Sequence, residues 1–268
     1  MMTPTFKLHQ GVAPVLVSMP HLGTVLPEEL KPNYVPRALE IEDADWHLDL
    51  LYDFLKVMGA SILTPVYSRY VIDLNRPPDD APMYPGASNT ELCPTRFFTG
   101  EPLYKVGCEP DSAEKLRRQE TYWQPYHGAL AGELKRLRSL HSNVLLWDAH
   151  SIRSEIPWLF DGKLPDLNIG TANGLSADNS VGLAVMSVCA NQAAFTNVLN
   201  GRFKGGYITR QYGSPKTGIH AVQLEKCQSV YMAELPPYEY RPQLAVKVQP
   251  LLQKMVLAAL NQVKSLSL

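Results

Sequence analysis

The sequence predicts an α/β protein: one domain spanning residues 1–268, built on a mixed, mostly parallel sheet flanked by helices. Three observations carry this expectation. Short apolar runs such as Ala13 to Met19 and Val144 to Asp148 alternate with stretches of helical period, the pattern of βα units. Hydrophobic residues make up 45% of the 268 positions, enough to bury a sizeable core. No Gly/Ser linker, repeat or low-complexity segment marks a domain boundary.

Taken in order, Ala13 to Met19 reads as a strand. Trp46, Leu50, Leu51, Phe54, Leu55 and Met58 then recur at helical spacing up to Gly59, a residue suited to a helix C-terminus. Asp43 and Asp45 fall at the start of that helix, where carboxylates suit the unpaired amides. Ser61 to Pro65 and Tyr70 to Leu74 read as two more strands. The proline-rich segment Pro77 to Pro110 reads as a long ordered surface excursion. Asp111 to Leu140 is a charged amphipathic helix with a possible break at Pro125, and it feeds the strand Val144 to Asp148. Beyond it, short strands are expected at Asp166 to Gly170, Val198 to Leu199, Tyr207 to Thr209 and Ala221 to Glu225. Helices are expected at Ser180 to Ala194 and Pro250 to Leu268.

The formal net charge is -1, and no basic stripe or basic-aromatic interleaving points to nucleic acid. Met1 to Gln10 lacks the long apolar core of a signal peptide, and no run of about 18 apolar residues suggests a membrane span, so a cytoplasmic location is expected. Cys93, Cys108, Cys189 and Cys227 are scattered and read as ordinary thiols. The oligomeric state stays open.

The chemistry concentrates where strands end. Asp148-Ala149-His150 follows Val144-Leu145-Leu146-Trp147, and Pro20-His21-Leu22-Gly23 follows the strand Ala13 to Met19. Open α/β sheets bind ligands at this carboxyl edge, and catalytic zinc sites commonly combine two histidines with one carboxylate and leave a position for water. One histidine at a strand end is ordinarily structural; two shift the balance toward a zinc-dependent hydrolase held by His21 and His150. Asp148 could orient His150 from behind. Glu225 ends another apolar run and could serve as the general base, or could be an exposed strand end. Arg69, Asn75, Arg76, Arg202 and Arg210 also lie at element ends, and the planar fork of a guanidinium suits a carboxylate or a developing oxyanion.

Four segments together, Pro20-His21-Leu22-Gly23, Tyr67 to Pro77 with Asp73-Leu74-Asn75-Arg76, Trp147 to Ser151, and Gly205-Gly206-Tyr207-Ile208-Thr209-Arg210, resemble the N-formylglutamate amidohydrolase family. That family is similar to the zinc carboxypeptidase-like amidohydrolases, including the aspartoacylases. The resemblance runs from about Ala13 to Glu234. It implies a phosphorylase/hydrolase-like fold and a metal-activated water that releases formate and L-glutamate in histidine degradation. Thr24 stands where the wider superfamily carries the acid of its His-x-x-Glu pair, so the third ligand falls to Asp45 or Asp43, with Asp45 preferred over Asp43 and over Glu28 or Glu29. On this reading Glu225 is the base and Arg69 stabilises the oxyanion. Arg76 with Asn75 takes one carboxylate of a small dicarboxylate substrate, and Arg210, with Arg202 in reserve, takes the other. Hydrolysis of another N-acyl amino acid or short peptide is the alternative enzyme. A non-catalytic metal or amino-acid binding protein on the same fold is the other alternative, which would need the arginines but no base. A serine hydrolase is disfavoured by the lack of a Gly-x-Ser-x-Gly elbow.

Overall fold

A computed structural model describes residues 4–83 and 89–267. Seven strands form one sheet: β1 (Phe6–His9), β2 (Val15–Ser18), β3 (Ser61–Pro65), β4 (Val144–Ile152), β5 (Leu167–Gly170), β6 (Asn197–Leu199) and β7 (Ile219–Cys227). Their spatial order is β1-β3-β2-β4-β7-β5-β6. The β3-β2-β4-β7 centre and the β5-β6 pair are parallel, whereas β1 meets β3 and β5 meets β7 antiparallel. The fold class is therefore the predicted one. From β2 the chain passes to β3 on one side, and β4 lies on the other, so the crevice of a topological switch point opens at the carboxyl ends of β2 and β4.

Strand alternation divides the core between two layers. Val15, Val17, Leu145, Trp147, Val222 and Leu224 face α4 (Asn179–Ala190) and α6 (Pro242–Ser265). Leu16, Val144, Leu146 and Ala221 face α3 (Gln124–Leu140), through Tyr126, Leu130, Leu134 and Leu137. On β4 and β7 the second set continues into Asp148, His150, Gln223 and Glu225, so one sheet face changes from core to chemistry as it nears the carboxyl edge.

Several elements depart from expectation. β4 and β7 run on to Ile152 and Cys227, so His150 and Glu225 lie inside hydrogen-bonded strands, side by side in register. Tyr70 to Leu74 is a buried turn, because Ser68 Oγ and Asp73 Oδ1 accept the Tyr70 and Asn75 amides and offer the backbone a local alternative to a ladder. Tyr34 and the fully buried Arg118 donate to the Tyr70 and Val71 carbonyls and fix that turn from outside. Tyr207 to Thr209 belongs to a helix, α5 (Tyr207–Tyr212), where Asn75 Oδ1 accepts the Ile208 amide and satisfies a helix-start donor.

The helix expected over Trp46 to Met58 shrinks to α1 (Leu48–Leu51) and a 3₁₀ turn, Asp53–Leu55; His47, in the left-handed region (φ 63°), opens it. The apolar spacing is still used, since Leu48, Leu51, Phe54 and Leu55 are buried. α2 (Ser112–Arg118) and α3 are joined by a π-helical turn that ends next to Pro125. The last helix starts at Pro242, and Pro250 sits within it on the exposed face, where a carbonyl left unpaired meets water. β1 was not foreseen. The proline-rich excursion has no helix or strand in its described part, yet it buries Leu92, Phe97, Phe98 and Leu103; its residues 84–88 lie outside the described residues. Among the described residues no helix is long and apolar enough to cross a membrane.

Candidate metal centre and substrate cavity

His21 follows β2 by three residues, His150 lies on β4, and Asp45 comes from the irregular segment between β2 and α1. Their ligand atoms form one buried group within 4.8 Å of one another. His21 Nδ1 and His150 Nδ1 are 3.2 Å apart and lie 3.7 and 3.3 Å from Asp45 Oδ2. In a tetrahedral site with ligand bonds of about 2.0–2.2 Å, neighbouring ligand atoms stand roughly 3.3–3.6 Å apart. These three donors match that spacing. Asp45 Oδ2 is buried without a hydrogen bond, the condition of a carboxylate oxygen whose partner is a cation. The residues thus fit a divalent metal ion.

The segment bearing Asp45 is tied down by its amide, which donates to the His21 carbonyl (2.9 Å), and by Gln228, which donates to the Ala44 carbonyl (2.9 Å). Asp43 is committed elsewhere: it accepts from Arg153, from the Tyr70 hydroxyl and from the Phe98 amide, each at 2.8 or 2.9 Å. Only Asp45 of the two acids reaches the histidines.

Each histidine has a carboxylate at its far nitrogen. Asp73 accepts from His21 Nε2 (2.7 Å), and Asp148 Oδ1 lies 3.1 Å from His150 Nε2, though off the line of a straight hydrogen bond. The Asn75 amide approaches the same His150 nitrogen at 3.1 Å. The carboxylate behind the His21 ring favours Nε2–H there, and both rings turn Nδ1 toward Asp45. Burial and then the Arg69 guanidinium lower the pKa of His21 against the pull of Asp73. For His150 burial also opposes the charge, but Asp148 and Asp45 outweigh it and hold the ring well above the usual imidazole range.

Glu225 stands beside His150 across the β4–β7 pair, is 7% exposed, and has Oε1 without a hydrogen-bond partner. Burial pushes its carboxyl up to about 8 against the attraction of His150, and the Asp45 charge adds to the rise. A carboxyl tuned near neutrality suits proton transfer in both directions. The neighbouring Lys226 points to the opposite face, fully buried, with Nζ donating to the His150 carbonyl (2.6 Å) and lying over the Tyr52 ring. Burial lowers it to about 8.

A cavity of about 70 Å³ adjoins these groups, and its walls include Arg69, Asn75, Arg76, Arg202, Gln223 and Glu225 together with the three cluster residues. Arg69 is buried, donates to Asp73 (2.6 Å) and to His21 Nδ1 (3.2 Å), and lies over the Phe98 ring. Arg76 donates to Thr90, and Arg202 donates to the Leu159 carbonyl. Asn75 spends its carbonyl oxygen on α5. Arg210 is not brought to this cavity: its guanidinium donates to the Gly205 carbonyl and lines a separate hollow with Asn173 and Lys204. The strand expected over Tyr207 to Thr209 hid the placing of Arg210 on α5.

Sequence reasoning missed Asp73 as the partner of His21, Lys226 and Gln223. The first stood in a quoted motif, four residues after Arg69. The other two alternate with Leu224 and Glu225 on β7, so strand period alone would have set them on opposite faces.

Two histidines and a carboxylate converging beside an uncommitted carboxyl, in a cavity lined by arginines at the carboxyl edge of an α/β sheet, define the layout of a hydrolytic enzyme for a small anionic molecule. The model of the N-formylglutamate amidohydrolase family matches residues 13–232. An N-formylglutamate deformylase of Pseudomonas putida is 51% identical over 259 residues, covering 97% of each chain. One from Pseudomonas aeruginosa is 46% identical over 255 residues, covering 95% of this chain and 96% of its own. Among solved structures, an N-formylglutamate amidohydrolase from Ralstonia eutropha JMP134 superposes with a TM-score of 0.79 at 23% identity over 97% of both chains. A protein from Agrobacterium tumefaciens does so with a TM-score of 0.74 at 16% identity, covering 98% of this chain and 97% of its own. These two share the fold. The chain belongs to the N-formylglutamate amidohydrolase family.

Proposed function

We propose that this protein hydrolyses the formamide bond of N-formyl-L-glutamate to L-glutamate and formate, a step of histidine degradation, with one zinc ion held by His21, Asp45 and His150. The observation that carries the metal is the orphaned Asp45 Oδ2 facing two imidazole nitrogens. The substrate reading is supported by close relatives bearing the name N-formylglutamate deformylase, and by a cavity with three arginines on its walls.

A divalent cation held by these three residues would lower the pKa of a water toward about 7 and polarise a carbonyl. The chain's own groups supply the rest. Glu225 Oε1 takes a proton from the attacking water and returns it to the amide nitrogen as the C–N bond breaks, so the amine leaves neutral and formate keeps the oxygen. The His21 nitrogen that Arg69 contacts is the one a cation takes, which leaves the guanidinium to stabilise the developing oxyanion. We assign the two carboxylates of the substrate to Arg76 and Arg202, both on the cavity wall, with Arg202 taking the part that the sequence reading gave first to Arg210.

Metal analysis of the purified protein, with formate release measured on N-formylglutamate, N-acetylglutamate and an N-formyl dipeptide, tests the reading. About one zinc per chain and selective turnover of N-formylglutamate are expected. Turnover without metal overturns the metal centre, and preference for another acyl group overturns the substrate.

A further inference from the structure

Gln223 has no place in the mechanism above, yet it is 3% exposed and lines the cavity that holds the cluster. It sits two residues before Glu225 on the same face of β7, opposite Asp148 in register. The orientation of its amide is settled by a backbone donor: Gly206 N donates to Gln223 Oε1 at 2.6 Å. An amide N–H can only donate, so the carbonyl end of the glutamine is committed to Gly206 and its NH₂ end, on a residue that lines the cavity, is left to donate.

That backbone donor has little room to move. A side chain on Gly206 would meet the Asn75 amide at 2.2 Å, and the next residues of α5 are fixed by the Asn75 oxygen on Ile208 N. Gln223 is therefore a rigidly aimed, uncharged donor pair in the cavity floor. Buried side-chain donors ordinarily have acceptors, and the chemistry of this one calls for an oxygen-bearing ligand.

We infer that Gln223 binds the side-chain carboxylate of the substrate and so selects glutamate among N-formyl amino acids. This rests on the hydrolysis of N-formylglutamate proposed above. The distances agree: two residues of strand separate Gln223 from Glu225 by about 6.6 Å, and five bonds separate the formyl carbon from the side-chain carboxyl carbon, roughly 6 Å when extended. Glu225 serves the formyl end and Gln223 the far end, with an arginine supplying the charge that a glutamine lacks.

The test is Gln223→Glu, which keeps an oxygen for Gly206 N and places a second oxygen where the donors were. On N-formylglutamate KM should rise about tenfold or more while kcat stays within about threefold, since a uniform binding contact is lost. On N-formylnorleucine, which has no side-chain carboxylate, KM should change less than about twofold. Zinc content and the thermal midpoint should match the wild type. If Gln223→Glu does not fold, Gln223→Met removes the donors at similar length and must show the same substrate-dependent loss. Equal damage on both substrates, or none on N-formylglutamate, overturns the inference. Failure of the wild type itself to release formate from N-formylglutamate overturns the parent reading instead.

Discussion

At the scale of single residues, the two acids at positions 43 and 45 separate cleanly. Asp45→Asn weakens a ligand, so zinc content should fall from about one per chain toward zero with little change in the fold. Asp43→Asn leaves the cluster alone but weakens acceptors for Arg153, Tyr70 and Phe98, so metal should be retained while the thermal midpoint drops. Metal analysis beside thermal unfolding reads both, and loss of zinc in Asp43→Asn alone would reverse the assignment. Glu225→Gln should keep the metal and the KM and lower kcat by roughly 10²- to 10⁴-fold, the worth of a positioned acid-base group. Near-normal turnover in that variant would remove Glu225 from the mechanism. Arg202→Lys should raise KM for N-formylglutamate by about tenfold or more, whereas Arg210→Lys should leave it within about twofold. Steady-state kinetics of the two variants side by side reads the difference. His21, His150 and Glu225 could be picked out from the sequence because each sits on or just beyond an apolar run. The difference between Arg202 and Arg210 could not, because it depends on α5 being a helix, and the group that starts that helix, Asn75, lies 133 positions away.

At the scale of elements, the sheet was legible because its apolar runs are short, β-branched and separated by turn residues. The turn over Tyr70 to Leu74 was not, since its composition is that of a strand and only the Ser68 and Asp73 side chains divert it. α3 carries a pH dependence that sequence could not show. His127 on this helix is buried between Trp123 and Tyr212, with Nε2 on the Leu74 carbonyl, and burial lowers its pKa to about 4. The unfolded chain binds that proton near pH 6.5 and the folded one only near 4, so stability is full above 6.5 and declines as the pH falls between the two. The loss amounts to about 3 kcal/mol at most. Urea unfolding from pH 7 to pH 4.5 should show a falling midpoint, and His127→Gln should flatten that fall. An unchanged slope in the variant would assign the acid sensitivity to other groups.

At the scale of the whole molecule, the centre joins parts of the chain that are remote in sequence: His21 and Asp45 come from one side of the switch point, and His150 and Glu225 from the other. A cation at the proposed site would hold the halves together and stabilise the native state by mass action, about 3–4 kcal/mol when free metal stands at 100 to 1,000 times its dissociation constant. A chelator should therefore lower the thermal midpoint of the wild type by several degrees and leave His150→Ala unmoved. A chelator effect of the same size in both would show that the stabilising ion binds elsewhere. The one-sheet architecture and its carboxyl-edge site follow from pattern. The closure of the site does not, because it is made by long-range pairings that no local window contains.

The register of β4 against β7 has a further consequence, in time rather than in space. A slip of one residue would exchange Glu225 for Lys226 beside His150 and turn an alternating strand inside out. The pairing also has to wait for a segment whose residues stand 75 positions after their partners on β4, and contacts of such separation form slowly. Under the proposed metal site, a chain docked out of step would set an ammonium group beside His150 where a carboxyl belongs, and the repulsion between two cations would make capture of the ion a late step that follows correct alignment.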